Sequence, residues 1–133
     1  MSDKLTGLHP DLIIRVKHVL AAMAALGHPM IVTDGVRTDA QQVVLYAKGR
    51  TLPGRIVTNA DGLHKRSNHQ TKADGYGYAV DCTFLDATGV PTWDEALPWN
   101  AYGACAKALG LVWGGDFKSL VDKPHIELPI VGR

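Results

Sequence analysis

Three residues of this chain carry chemistry in unusual surroundings. His69 follows Ser67 and Asn68 in a polar, glycine-containing stretch, Asp81 interrupts the apolar run "YAVDCTF", and His125 opens "HIEL". A carboxylate buried without a partner is costly, so Asp81 needs compensation from its neighbours. Two imidazoles and one carboxylate from separate segments form the ligand set of a catalytic zinc site that keeps its fourth position for water. A metal would therefore answer the need of Asp81. Backbone amides donating to Asp81, with His69 a solvated loop residue and His125 paired with Glu127, would answer it too. Spacing alone leaves both open, because ligands this far apart form a weaker pattern than a tight H-E-x-x-H.

Other polar residues gain meaning from these three. Asp122 precedes His125 in "DKPH", where Pro124 keeps the chain extended, and a carboxylate there can reach a metal-bound water as general base. It can equally cap its own turn. Glu127 shares a strand face with His125, as a partner that orients the imidazole or as a rival base. Arg37, in "DGVRT", sits where it can clamp a substrate carboxylate or stabilise an oxyanion, or form only a surface ion pair. His9, His18 and His28 flank or lie on the first helix and read as solvated.

The elements that must position these groups follow from periodicity. Leu12, Ile13, Val16, Val19, Leu20 and Met23 repeat at helical spacing behind Pro10 and before Gly27. "MIVTDGV" reads as a strand, and "TDAQQVVLYAKG" as a short helix with a capping box from Thr38 to Gln41. Residues 51–78 are mostly loop, with a brief strand at "RIVT"; a loop this long is usually functional. The turn from His69 to Tyr78, with Gly75 and Gly77 and few apolar anchors, is expected to be mobile. In "YAVDCTF", alternation puts Val80, Cys82 and Phe84 on one face and Ala79, Asp81 and Thr83 on the other. "DATG" makes a turn, "NAYGACAKALG" a third helix with Asn100 as N-cap and Gly110 as stop, and "LVW" and "HIEL" two short closing strands. This order predicts an α+β fold in which a small antiparallel sheet is flanked by helices, as one domain over residues 1–133.

Composition narrows the function. A net charge of +1, from 14 basic and 13 acidic side chains, lacks the basic excess of a nucleic-acid binder. No apolar run approaches the length of a membrane span, so no membrane insertion is expected. Cys82 and Cys105 have neither the number nor the spacing of a disulfide framework or thiolate zinc site, and read as buried small hydrophobes. The first residues, acidic and proline-containing, do not read as a signal peptide.

Taken together, "GVRT" at residues 35–38, "SNH" leading to "GYAVD" at 77–81, and "WGGDF" followed by "DKPHIEL" from Trp113 to Leu128 resemble one family. It is the M15-type zinc D,D-carboxypeptidases and L-alanyl-D-glutamate endopeptidases, which include many phage endolysins. The resemblance spans about His9 to Leu128. It implies the small fold shared with the Hedgehog signalling domain, and Zn²⁺ held by His69, Asp81 and His125. It also implies Asp122 as catalytic base, Arg37 as substrate or transition-state binder, and Ser67 as a site-lining residue. Trp113 and the glycines after it would shape the cleft floor, though a buried aromatic beside a tight turn is equally compatible. One departure is the spacing from His69 to Asp81, which is longer here than in the family, so Asp74 competes as a ligand; His64 likewise rivals His69. The ending "GYAVD" favours Asp81.

The resulting expectation is a zinc peptidase of the peptidoglycan stem peptide, cleaving the L-alanyl-D-glutamate bond as a phage or prophage endolysin. A D-alanyl-D-alanine carboxypeptidase or dipeptidase is the alternative, and a non-catalytic zinc-binding module of the same fold a third. The enzyme is expected to be a monomer, made in the cytoplasm without a signal peptide and released to the wall through a separate pore.

Overall fold

The computed structural model of the chain describes residues 4–129. Helix α1 (Pro10–Ala25) begins with proline in its first turn, where a missing N–H costs nothing. The side chain of His9 caps it by accepting from the Asp11 amide, so His9 has a structural task rather than being merely solvated. Leu12, Val16, Val19 and Met23 are buried along one stripe, as their spacing predicts. Strand β1 (Met30–Asp34) follows, then α2 (Asp39–Ala47), whose capping box between Thr38 and Gln41 is formed in both directions.

Strand β2 (Ala79–Leu85) is the centre of an antiparallel sheet. One edge of β2 pairs with β1; its other edge is shared by β5 (His125–Glu127) towards the start and β3 (Pro91–Thr92) towards the end. Strand β4 (Val112–Trp113) pairs with β5 and completes the order β1-β2-β5-β4. Helix α3 (Trp99–Ala108) packs on α1. Val80, Cys82 and Phe84 of β2 join Ile126, Trp113, Tyr102 and the α1 stripe in one core. Each such side chain, fully buried, contributes about 1.5–3 kcal/mol. The α+β class and the flanked antiparallel sheet are therefore as expected.

Three local expectations are corrected. The segment "RIVT" at residues 55–58 is not a strand; Ile56 and Val57 are exposed and no neighbouring strand offers a ladder, so β-branched composition alone does not suffice. Asn100 is not the N-cap of α3. The carbonyl of Pro98 accepts the first helical bonds, because burying Trp99 and Tyr102 in the core requires the helix to begin at Trp99. Cys82 is buried, with its thiol pushed up to about 12 by burial, whereas Cys105 is only half-buried, against Met23. Both are free thiols. No helix among the described residues is long and apolar enough to cross a membrane.

Helix α3 depends on one glycine for its seat. A Cβ at Gly103 would lie 2.3 Å from the Trp113 ring, so glycine here lets the helix approach the indole. Gly103→Ala should cost about 1–3 kcal/mol through overpacking, despite alanine's better helix propensity. Urea unfolding checks this; an unchanged or raised midpoint would show that the indole yields.

Candidate active site

Register aligns the site across the sheet. Asp81 in β2 lies opposite Asp34 in β1 and opposite His125 in β5. An irregularity between Val32 and Asp34 inserts Thr33 as an extra residue, which puts Asp34 rather than Thr33 beside Asp81. Alternation then sends Val80 and Cys82 into the core and Asp81 to the opposite side. His69 reaches the same point from the long loop. Its backbone carbonyl accepts from the Arg37 amide, and its own amide donates to Ser67 Oγ.

Three acceptor atoms converge there. His69 Nε2 and His125 Nδ1 are 3.2 Å apart, and each is 3.4 Å from Asp81 Oδ1. The far side of each ring is committed: His69 Nδ1 donates to the Gly35 carbonyl at 2.9 Å, and His125 Nε2 to Glu127 Oε1 at 2.6 Å. In the neutral rings this leaves the inward nitrogens as lone pairs, the arrangement found at metal-bound histidines. Asp81 Oδ1 is buried without a hydrogen-bond partner, alone among the described side chains. Tetrahedral coordination with bonds of about 2.0–2.1 Å needs ligand atoms about 3.3–3.4 Å apart, so the trio fits a small divalent cation.

Electrostatics agree with this geometry. Burial opposes charge on Asp81, but the imidazoles of His125 and His69 outweigh it and hold its carboxyl well below the ordinary range. Burial also opposes charge on His125, yet Asp81 and Glu127 raise its pKa to about 9. Such a pocket draws positive charge.

The surrounding groups fall into place around the trio. Asp122 Oδ2 is 3.9 Å from His125 Nδ1, and its pKa is raised by burial and by the charge of Asp81. Glu127 spans His125 and Asn68, whose Nδ2 donates to Oε2 at 2.7 Å. Arg37 donates to Gln42 Oε1 at 2.7 Å and to Asp34 Oδ2 at 2.6 Å, with Asp81 Oδ2 3.8 Å away. Ser67 bonds to the backbone of His69, not to its ring, and so shapes the turn that carries it.

Trp113 is corrected: it belongs to the core and does not line the cleft. Its Nε1 instead donates to the Lys123 carbonyl and so braces the turn of Asp122 from beneath. Asp74 and His64 do not join the trio. Asp74 accepts from Tyr78 and the Tyr76 amide within its own turn, and His64 is exposed beside Asp61. Gln42, Asn68 and Asp34 were not singled out from sequence. A glutamine directly after a capping box, and an asparagine inside "SNH", were the signals available in the sequence.

The trio opens on a cleft of about 990 Å³, walled by residues 55–60 on one side and by Phe117 to Asp122 on another. A second groove shares Val121 and Asp122 with it as lining residues.

Known proteins resemble this chain in sequence and fold. Residues 61–128 match the M15 peptidase family described as D-alanyl-D-alanine carboxypeptidase. The peptidoglycan L-alanyl-D-glutamate endopeptidase CwlK of Bacillus subtilis is 35% identical over 129 residues, covering 91% of this chain and 73% of that protein. An L-alanyl-D-glutamate peptidase of Listeria phage A118 is 29% identical over 109 residues, 74% of this chain and 34% of that one. The crystal structure of the L-Ala D-Glu endopeptidase ChiX from Serratia marcescens superposes with a TM-score of 0.62 at 27% identity, covering 95% of this chain and 84% of that one. Sequence and fold thus agree along nearly the whole length, and the chain belongs to the M15 family of peptidases.

Proposed function

We propose that this protein hydrolyses the L-alanyl-D-glutamate bond of the peptidoglycan stem peptide, with zinc held by His69, Asp81 and His125. The observation that carries the reading is the partnerless Asp81 Oδ1, buried and facing two imidazole nitrogens at 3.4 Å. The names of the Bacillus, Listeria phage and Serratia relatives support the choice of bond; a lysis role with access to the wall through a separate pore is part of the same proposal.

When bound, zinc supplies a Lewis acid and lowers the pKa of a coordinated water to about 7. Asp122 stands 3.9 Å from His125 Nδ1 with its side chain 45% exposed, so it faces both the trio and solvent. Its raised pKa makes it a better proton acceptor than an ordinary carboxylate, suited to take the proton of the attacking water and pass it to the leaving amine. Arg37, fixed by Asp34 and Gln42, offers positive charge to the developing oxyanion or to a neighbouring substrate carboxylate. Glu127 and the Gly35 carbonyl orient the two imidazoles. A second groove borders the cleft at Asp122, and together the two would hold substrate on both sides of the scissile bond, which suits an endopeptidase better than an enzyme trimming a free terminus.

Mass spectrometry of purified muropeptides after digestion tests the bond: release of L-alanine-linked sugar is expected, and release of D-alanine would move the activity to the carboxypeptidase. A chelator should abolish turnover, with zinc restoring it. Asp81→Ala should lose both bound zinc and activity, while Asp74→Ala keeps both; metal analysis of the purified variants decides. Asp122→Ala should retain zinc and fold but lose activity by ~10²-fold or more, and added zinc should not rescue it. Glu127→Ala should instead weaken zinc affinity by ~10–100-fold and recover much of its activity in excess zinc. The opposite rescue pattern would move the base to Glu127.

A further inference from the structure

We infer that the groove beside Asp122 is a saccharide subsite, in which the indole of Trp93 stacks on a sugar ring of the glycan strand. The inference rests on the function proposed above and adds to it where the sugar lies. The groove has a volume of about 350 Å³, within the range of small-molecule pockets, and shares Val121 and Asp122 with the catalytic cleft. The two therefore border one another at these residues, and a substrate reaching from one to the other would pass Asp122.

The groove's walls suit a pyranose. Trp93 is 54% exposed, whereas Trp99 at the same groove is 3% exposed and donates its Nε1 to the Asp94 carbonyl. The exposed indole has a firm mount. It follows β3 directly, where Thr92 pairs with Phe84 and its carbonyl accepts from Thr83 Oγ1 at 2.6 Å. On its other side, Asp94 closes the next turn by accepting from the Ala96 amide. A large apolar ring held in solvent on a fixed backbone offers contact area at little ordering cost. Lys123 and Glu95, paired at 2.8 Å, supply polar atoms in the same groove for hydroxyl or amide groups at the sugar's rim.

Charge sets the direction of the substrate. The catalytic cleft, but not the groove of Trp93, is lined by Lys48, Arg55 and Lys65, which enter no ion pair among the described residues. Beyond the scissile bond the stem peptide bears carboxylates, beginning with that of D-glutamate, and these complement the basic arm. The L-alanine side, which is joined to sugar, is then directed past Asp122 to Trp93.

The test compares kcat/KM on a disaccharide tetrapeptide with that on the same tetrapeptide without sugar. The wild-type enzyme should favour the sugar-bearing substrate by about tenfold, mainly through KM. Trp93→Ala should bring the ratio near one, and Trp93→Tyr, which keeps a ring, should retain most of it. A wild-type ratio near one would overturn the subsite, as would a preference that persists in Trp93→Ala. An equal loss on both substrates, with the ratio kept, would make Trp93 a structural residue and overturn it as well. Turnover of neither substrate by the zinc-loaded wild type would instead overturn the proposed function, and the subsite with it.

Discussion

Three electron-rich atoms, Asp81 Oδ1, His69 Nε2 and His125 Nδ1, are held 3.2–3.4 Å from one another in a buried corner. Such an arrangement requires positive charge among the three, either a proton on an imidazole or a metal cation, and much of the surrounding structure serves to impose it. The sheet register aligns Asp81 with His125, the Gly35 carbonyl fixes one ring, and Glu127 fixes the other. Because the ligands come from a loop and two strands, a bound metal would tie together segments that no shared helix or hairpin connects.

The loop that delivers His69 is built differently from the core. It lacks apolar anchors, and buried amide side chains take their place. Gln42 donates to the Ala60 carbonyl and Thr58 Oγ1 while accepting from Arg37, and Gln70 joins Gly62, Asp39 and the Ser67 amide. Asp61 accepts from three successive amides, at Leu63, His64 and Lys65, which holds its carboxyl down to about 2. Each buried amide couples the cleft wall to the catalytic residues, since losing one partner strands the other in a dry site.

This division explains what the sequence made legible. Helix α1 and strand β2 were readable because periodicity is a local signal; the out-of-place carboxylate marked Asp81, but spacing alone left its partners open, and the family-like motifs singled out His69 and His125. Gln42 and Asn68 were not, because amide side chains have no characteristic spacing and act through partners distant in the chain, such as Ala60 and Glu127. The "RIVT" segment misled for the same reason in reverse: its residues suit a strand, but pairing is a property of two segments. Asn100 likewise has the right chemistry for a cap, and lost the position to the demand for burying Trp99. Trp113 illustrates a further limit, since its role as a brace depends on the carbonyl it meets rather than on its own type.

The turn from Asp122 to His125 is gripped from the core. The Lys123 carbonyl accepts from Trp113 Nε1, the Pro124 carbonyl accepts from both Tyr102 Oη and the Cys82 amide, and the Asp122 amide donates to Gly114. A Cβ at Gly114 would lie 2.2 Å from the Asp122 carbonyl, so the packing tolerates no bulk there. The carboxylate proposed as proton acceptor is thus positioned when the protein folds, not when substrate arrives. Binding energy from the substrate need not be diverted to ordering it, and remains available for straining or aligning the scissile bond.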